Sequence, residues 1–376
     1  MSTRIVYSTR YRVDIGPHVF PTRKYDLVYD ALGRPPAIDP PPATWEELAL
    51  VHTPEYLEKL RTGTMSDEDI AQLELPWSPE MVEGFRVMVG GTIQAALFAA
   101  DLEGRSSKSE IGGISDFRVA AHIGGGLHHA FPNHGEGFCP FNDVAVATRV
   151  LQRRGIERIA IVDLDVHHGN GSAFIFNGGA PLPPQARSEH SSALAGPHPH
   201  SPRSRLRARS SRGRSPRAYP EQNAADANVF TFSMHQQHNY PMWKPRGSLD
   251  VGLPDGTRDA TFLGELDRAL PKVVAHRPQC VFYLAGADPY EDDQLGGLRL
   301  TREGLRRRDR LVIDTFRKAD VPVVVTLAGG YARRVEDTVA IHVATIEEAM
   351  TAAAAAGRRP AQPGAVPDRR ASSGEG

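Results

Sequence analysis

The run Ile159-Ala160-Ile161-Val162 passes directly into Asp163-Leu164-Asp165-Val166-His167-His168-Gly169-Asn170-Gly171, and this junction constrains the chain more than any other stretch. A short, mostly β-branched apolar run reads as a strand buried on both faces, as in a parallel sheet covered by helices. Side chains two apart on an extended segment share a side. Asp165 and His167 can therefore reach one ion together, while Asp163, on the same side, can orient a neighbouring group. A third ligand has to come from elsewhere.

In open α/β sheets, ligands collect beyond the carboxyl ends of the strands. Three further segments end in chemistry-bearing residues: Cys280 to Leu284 runs into Gly286-Ala287-Asp288, Val321 to Leu327 into Gly329-Gly330-Tyr331, and Val119-Ala120-Ala121 into Gly124 to His129. If these strands are parallel neighbours, an Asp, a Tyr and a His pair converge on Asp165 and His167. One Asp-x-His is more often an ordinary strand end than a metal site. Four strand ends with complementary chemistry are a different matter. Asp165, His167 and Asp288 make a two-carboxylate, one-imidazole set that leaves positions open for water and substrate, as catalytic zinc requires.

Residues from His128 to Tyr331 contribute to this constellation, so the 376-residue chain reads as one large α/β domain rather than two. A hydrophobic content of 40% and two cysteines fit a cytoplasmic globular enzyme without a disulfide framework. No segment approaches the roughly 18 continuous apolar residues that a bilayer span needs, so no membrane association is expected. Ser78-Pro79-Glu80 marks a helix start, with Met81, Phe85, Met88 and Val89 following at helical spacing.

The motifs carry a family likeness. Gly125 to Ala130, Gly137-Phe138-Cys139-Pro140-Phe141-Asn142-Asp143, Asp163 to Gly171, Phe230 to His235, Gly286-Ala287-Asp288 and Gly329-Gly330-Tyr331 stand in family order across most of residues 1–349. The chain resembles the zinc-dependent histone deacetylase superfamily, including its bacterial acetoin-utilisation and acetylpolyamine amidohydrolase members. Tyr7-Ser8, His18-Val19-Phe20-Pro21 and His238-Asn239-Tyr240-Pro241 look most like the class IV branch and its bacterial relatives. The resemblance implies a single-domain open parallel sheet flanked by helices, arginase/deacetylase-like, with its site at the C-terminal ends of the strands.

It also implies roles. One Zn2+ held by Asp165, His167 and Asp288 would polarise an amide carbonyl and acidify a water, to a pKa of about 7. His129 is then general base and acid, His128 with Asp163 behind it gives electrostatic support, and Tyr331 donates to the oxyanion. Asn170 stands where some members carry an aspartate behind the second histidine; its amide oxygen can still accept the imidazole N–H. Gly137 and Phe138 match the lip and one wall of an acyl-lysine tunnel, with Tyr240 as the opposite wall. Asp163, Asp165 and His167, with Ser233 and Met234, match a structural monovalent cation site, expected to hold K+. The substrate implied is an acylated lysine on a protein or a small acylated amine. The alternative reading is a catalytically impaired acyl-lysine or metal-binding module. An arginase-like two-metal hydrolase fits His128, His129 and Tyr331 poorly.

The main departure from the family is the segment 178–224, rich in Arg, Ser and Pro. Residues 179–220 hold eight Arg and no Lys against one Glu, leaving 36 basic against 44 acidic residues elsewhere. By composition this is a disordered insert. It reads as a passive insertion or sequence artefact, or else as a lid or an arm for nucleic acid, which no other part of the chain is expected to bind. Residues 350–376 are expected to form a disordered tail.

Overall fold

The computed structural model describes residues 4–102, 118–179 and 225–356. Its strands are β1 (Arg4–Val6), β2 (Ala37–Ile38), β3 (Val119–His122), β4 (Ile159–Asp163), β5 (Val229–Gln236), β6 (Leu249–Leu253), β7 (Cys280–Leu284) and β8 (Val323–Thr326). All pair in parallel in one sheet of order β2-β1-β3-β8-β7-β4-β5-β6. The four strands expected to deliver the site, β3, β8, β7 and β4, are consecutive neighbours at its centre. Each is buried along its whole length, which their near-continuous apolar sequences require of parallel strands covered on both faces.

Helices flank the sheet: α1 (Lys24–Ala31), α2 (Trp45–Leu48), α3 (Pro54–Thr62), α4 (Asp67–Leu73), α5 (Pro79–Ala99), α6 (Asp143–Arg153), α7 (Asn170–Asn177), α8 (Asp259–Ala275), α9 (Arg302–Lys318) and α10 (Val335–Ala356). Local chemistry sets their starts. Ser78 caps α5 by accepting from the Met81 N–H, with Pro79 just inside. Asn142 caps α6 through the Ala145 N–H at 3.0 Å. The tail expected from residue 350 begins later, because α10 continues to Ala356. The alanines there have the highest helix propensity of any residue, and Ala352 and Ala353 are buried. Of the insert expected over 178–224, only residues 178 and 179 are described; the rest lies outside the described residues, as does the tail beyond 356. On either side of it the chain is pinned, with the Asp226 N–H donating to Phe176 O at 2.8 Å. β5 then pairs with β4 in unbroken register from Ile159 opposite Val229 to Asp163 opposite Ser233.

Behind the sheet's carboxyl end lies a buried ion pair. Arg308 on α9, fully buried, donates from Nε to Asp309 Oδ1 at 2.9 Å and from Nη1 to Gly286 O at 2.6 Å. Thr345 of α10 donates to Asp309 Oδ2 at 2.6 Å, and Tyr283 of β7 donates to Oδ1 at 2.5 Å. One cation thus joins α9 to the turn that leads to Asp288.

Removing one partner of such a pair strands a buried charge. Arg308→Met is expected to cost about 3–5 kcal/mol in urea unfolding, with much of that recovered by Arg308→Met combined with Asp309→Leu. A single-variant cost below about 1 kcal/mol would show that the pair is dispensable.

Two buried histidines set an acid limit on the fold. His52 donates from Nδ1 to Phe131 O at 3.0 Å and accepts the Asn142 N–H at Nε2, 3.1 Å, so it is neutral, and burial lowers its pKa to about 4. Burial likewise lowers His122 to about 3. Between about pH 6.5 and 4 the unfolded chain binds protons that the folded chain refuses, so stability is complete above about 6.5 and falls as pH drops. The expected slope is up to about 1.4 kcal/mol per pH unit for each histidine, read by urea unfolding at pH 7 and 5.5. A flat profile contradicts this assignment.

Candidate active site and metal centre

The turns after β4 and β7 bring Asp165, His167 and Asp288 together, with one potential ligand atom from each within 4.8 Å of the others and all three buried. His167 Nδ1 lies 3.1 Å from Asp165 Oδ1 and 3.4 Å from Asp288 Oδ2. Backbone N–H groups aim the carboxylates: Val166 donates to Asp288 Oδ1 at 2.9 Å, His167 to Asp165 Oδ1 at 3.0 Å and Gly329 to Asp165 Oδ2 at 2.8 Å. Burial, then the Asp165 charge, raises the Asp288 pKa. Burial acts the same way on Asp165, but His128 and His167 outweigh it and keep that group ionised. Asp288 Oδ2 is buried and makes no hydrogen bond. An orphaned carboxylate oxygen facing a second carboxylate and an imidazole nitrogen is the donor set a divalent cation fits.

Beside this cluster stand the paired histidines. His128 Nδ1 is 2.6 Å from Asp163 Oδ2, and its Nε2 is 3.0 Å from His129 Nε2. His129 Nδ1 is 2.7 Å from Asn170 Oδ1. Burial lowers the pKa of His128, yet Asp163 and Asp165 prevail and raise it to about 9. Burial and the neighbouring His128 and His167 hold His129 well below the ordinary range. The network therefore assigns a neutral ring at His129, whose Nδ1–H goes to Asn170 and whose Nε2 is left as the acceptor atom. The loop that carries them is tied to the start of α6: Asp143 accepts the Gly126 N–H at 3.0 Å and the Leu127 N–H at 2.7 Å, and Asn142 Nδ2 donates to Ala130 O at 3.2 Å.

Tyr331, Phe138 and Gly137 line the same cavity as His128, His129, Asp165 and His167. The Tyr331 backbone N–H donates to Asp293 Oδ2 at 2.7 Å. Burial, then Asp165 and Asp288, raises the Tyr331 pKa, so its hydroxyl keeps its proton. Phe138 adopts a φ of +65°, which is costly for a residue with a side chain and belongs to sites held by their surroundings. Its ring is edge-on to Tyr331 at 6.0 Å. Tyr240 faces His129 at 5.0 Å and His167 at 6.1 Å. Gly137 has no room for a side chain, since a Cβ would come within 2.7 Å of His129 Cδ2. Lys24, fully buried, donates to Ala328 O at 2.8 Å and so braces the turn before Tyr331.

The residues expected at a monovalent-cation site lie toward the ends of β4 and β5 and in the turn after β4. Ser233 lies opposite Asp163 in the sheet, but its hydroxyl pairs with His235 Nδ1 at 3.0 Å, and Met234 is a buried core residue. Among the described residues a second histidine and carboxylate group comprises His168, His235 and Asp250. In it His168 Nε2 lies 3.2 Å from Asp250 Oδ1 and the Gly247 N–H donates to Asp250 Oδ2 at 2.8 Å, while His168 Nδ1 is buried without a hydrogen bond.

The sequence matches the family model described as "Histone deacetylase domain" over residues 18–346. The chain belongs to the histone deacetylase family. An uncharacterized protein of Picosynechococcus sp. is 35% identical over 353 residues, covering 91% of this chain and 96% of that protein. Histone deacetylase 2 of Arabidopsis thaliana is 28% identical, over 88% of this chain and 74% of its own length. Histone deacetylase-like amidohydrolase of Pseudomonas aeruginosa is 26% identical, over 78% and 65%. An HDAC homologue solved in complex with SAHA superposes with a TM-score of 0.67 at 23% identity, covering 93% of this chain and 84% of that one. The fold is that of the arginase/deacetylase class, and family membership makes the protein a deacetylase-type hydrolase.

The supporting roles of Glu136, Asp143, Lys24, Asp293 and Arg308 emerge only in the fold. Asp143 had a signal, as an acidic residue directly after the Asn142 helix cap at the end of a family motif. The others act on backbone or side chains far away in sequence.

Gly329 tests how tightly the ligand cluster is built, because a Cβ there would come within 2.1 Å of Asp288 Oδ2 and 2.6 Å of Asp165 Oδ2. Gly329→Ala is expected to keep the far-UV circular dichroism spectrum while weakening Co2+ binding about tenfold or more. Wild-type affinity would mean the carboxylates rearrange freely.

Proposed function

We propose that the protein is a zinc-dependent amidohydrolase that removes an acetyl or other acyl group from a lysine side chain or a related alkyl amine. The observation that carries this reading is that His129 and Tyr331 line one cavity with Asp165 and His167 of the Asp165, His167 and Asp288 cluster. A module that only bound acyl-lysine would need neither. A Zn2+ on those three residues would supply a Lewis acid for the amide carbonyl and an acidified water.

The rest falls to the chain. His129 Nε2 takes the proton of the attacking water and returns it to the departing amine. His128, hydrogen-bonded to Asp163 at 2.6 Å, gives electrostatic support to the negative charge that develops beside it. Tyr331 O–H donates to the oxyanion. Phe138, Tyr240 and Gly137 form a narrow apolar passage for the methylene stem of the amine, whose burial is worth roughly 0.8 kcal/mol per CH2. A structural K+ on the backbone of Asp163, Asp165, His167 and Met234, with Ser233, belongs to the same proposal.

The test offers acetyl-lysine, fatty-acyl-lysine and acetylpolyamine substrates to the zinc-loaded protein. Turnover of at least one is expected, with Tyr331→Phe and His129→Ala each lowering kcat about 10²-fold or more and Asp165→Asn abolishing stoichiometric zinc. Zinc binding with no turnover of any substrate would leave the impaired module as the correct reading.

A further inference from the structure

His129 does not meet Asn170 alone. Asn170 turns its amide oxygen to His129 Nδ1 at 2.7 Å and its amide nitrogen to Glu136 Oε1, also at 2.7 Å. Because a carboxylate only accepts, Glu136 determines which end of the amide faces the ring. Glu136 sits between Gly135 and Gly137, its side chain only 13% exposed. The Tyr240 hydroxyl donates to the same Oε1 at 3.1 Å, Gln72 Nε2 donates to Oε2 at 3.2 Å, and His134 Nε2 lies 3.5 Å from Oε2. Burial alone would raise the Glu136 pKa, but these partners, His134 and Asn170 foremost, bring it below the ordinary carboxylate range. It is an anion at neutral pH.

We propose that Glu136 is a positioning residue for the acyl-amide hydrolysis, acting on His129 through Asn170. It supplies, one residue further back, the negative charge that a carboxylate at position 170 would supply directly. In the chain imidazole N–H to amide oxygen, amide N–H to carboxylate, both hydrogen bonds polarise the Asn170 amide in the same sense and reinforce each other. The effect is to fix the His129 tautomer with its lone pair on Nε2 and to make that nitrogen more basic. Through Tyr240 the same carboxylate anchors one wall of the passage, so base and wall share a single reference point.

The inference rests on the amidohydrolase reading, and its test is built so that the two can fail separately. Glu136→Gln keeps the shape and an acceptor oxygen but removes the charge. Its kcat is expected to fall about fivefold to tenfold, with KM changed less than about twofold. Asn170→Asp sets a second carboxylate against Glu136 and is also expected to slow turnover. The double variant Glu136→Gln/Asn170→Asp replaces that repulsion with a Gln N–H to Asp hydrogen bond, and its kcat is expected to return to at least the wild-type value. A residue with a merely structural role in the loop would show additive losses instead. Wild-type turnover in Glu136→Gln, or additive losses in the double variant, overturns the proposal. A second readout needs no activity: the Nδ1–H proton resonance of His129 in 15N-histidine-labelled, zinc-loaded protein. It is expected to move upfield in Glu136→Gln and downfield in the double variant. A resonance unmoved by Glu136→Gln overturns the proposal even if no substrate is turned over.

Discussion

Asp165 and Asp288 lie side by side in the interior, at the carboxyl ends of adjacent strand turns, and most of what surrounds them is explained by their charge. Two carboxylates cannot share such a place without compensation. The compensation comes from three directions. Backbone N–H groups of Val166, His167 and Gly329 point at their oxygens. The His167 ring faces both from the front, and Arg308 grips the Gly286 carbonyl from behind. What remains without a hydrogen bond is one oxygen of Asp288, Oδ2, 3.4 Å from His167 Nδ1. Two carboxylates and an imidazole gathered with one carboxylate oxygen left without a hydrogen bond form a donor set ready for a cation.

Much of this was legible in the order of residues, for a reason particular to parallel sheets. A buried strand must be apolar throughout, and the turn after it is where the sheet can present polar groups. Ile159 to Val162 followed by Asp163, Asp165 and His167 shows both halves of that rule, and the period of two places the carboxylate and imidazole on one side. The convergence of β3, β8, β7 and β4 follows from the same rule applied four times. Strands β1 and β2 have three and two residues, and β6 is only half-buried at four of its five positions, so none shows the continuous apolar run of the central strands.

The supporting residues were harder to see because their work is done across long sequence separations. Arg308 is one of three successive arginines, and a run of Arg normally marks a solvated helix face. Yet Leu305, Arg308, Asp309, Val312, Ile313 and Phe316 are all buried on α9, at the three- and four-residue spacing of an inward-facing stripe. An ion pair at apolar positions was the available signal. Glu136 offered none, since a carboxylate between two glycines in a turn gives no hint that it reaches Asn170 on another element. The alanine run after residue 350 misled in the other direction. Low complexity resembled a tail, where the small side chains let α10 extend and settle on the core.

The hydrogen bond from Asp226 to Phe176 has an architectural meaning. It fastens the two ends of the excursion at one point, so the sheet sees a closed gate whatever lies beyond. The entropy of closing a loop grows only with the logarithm of its length. Extra chain at this place therefore costs the folded core little, and β5 meets β4 in the same alignment whether the detour is short or long. The junction is a natural splice point, where evolution can add or remove material without disturbing the pairing of β4 with β5.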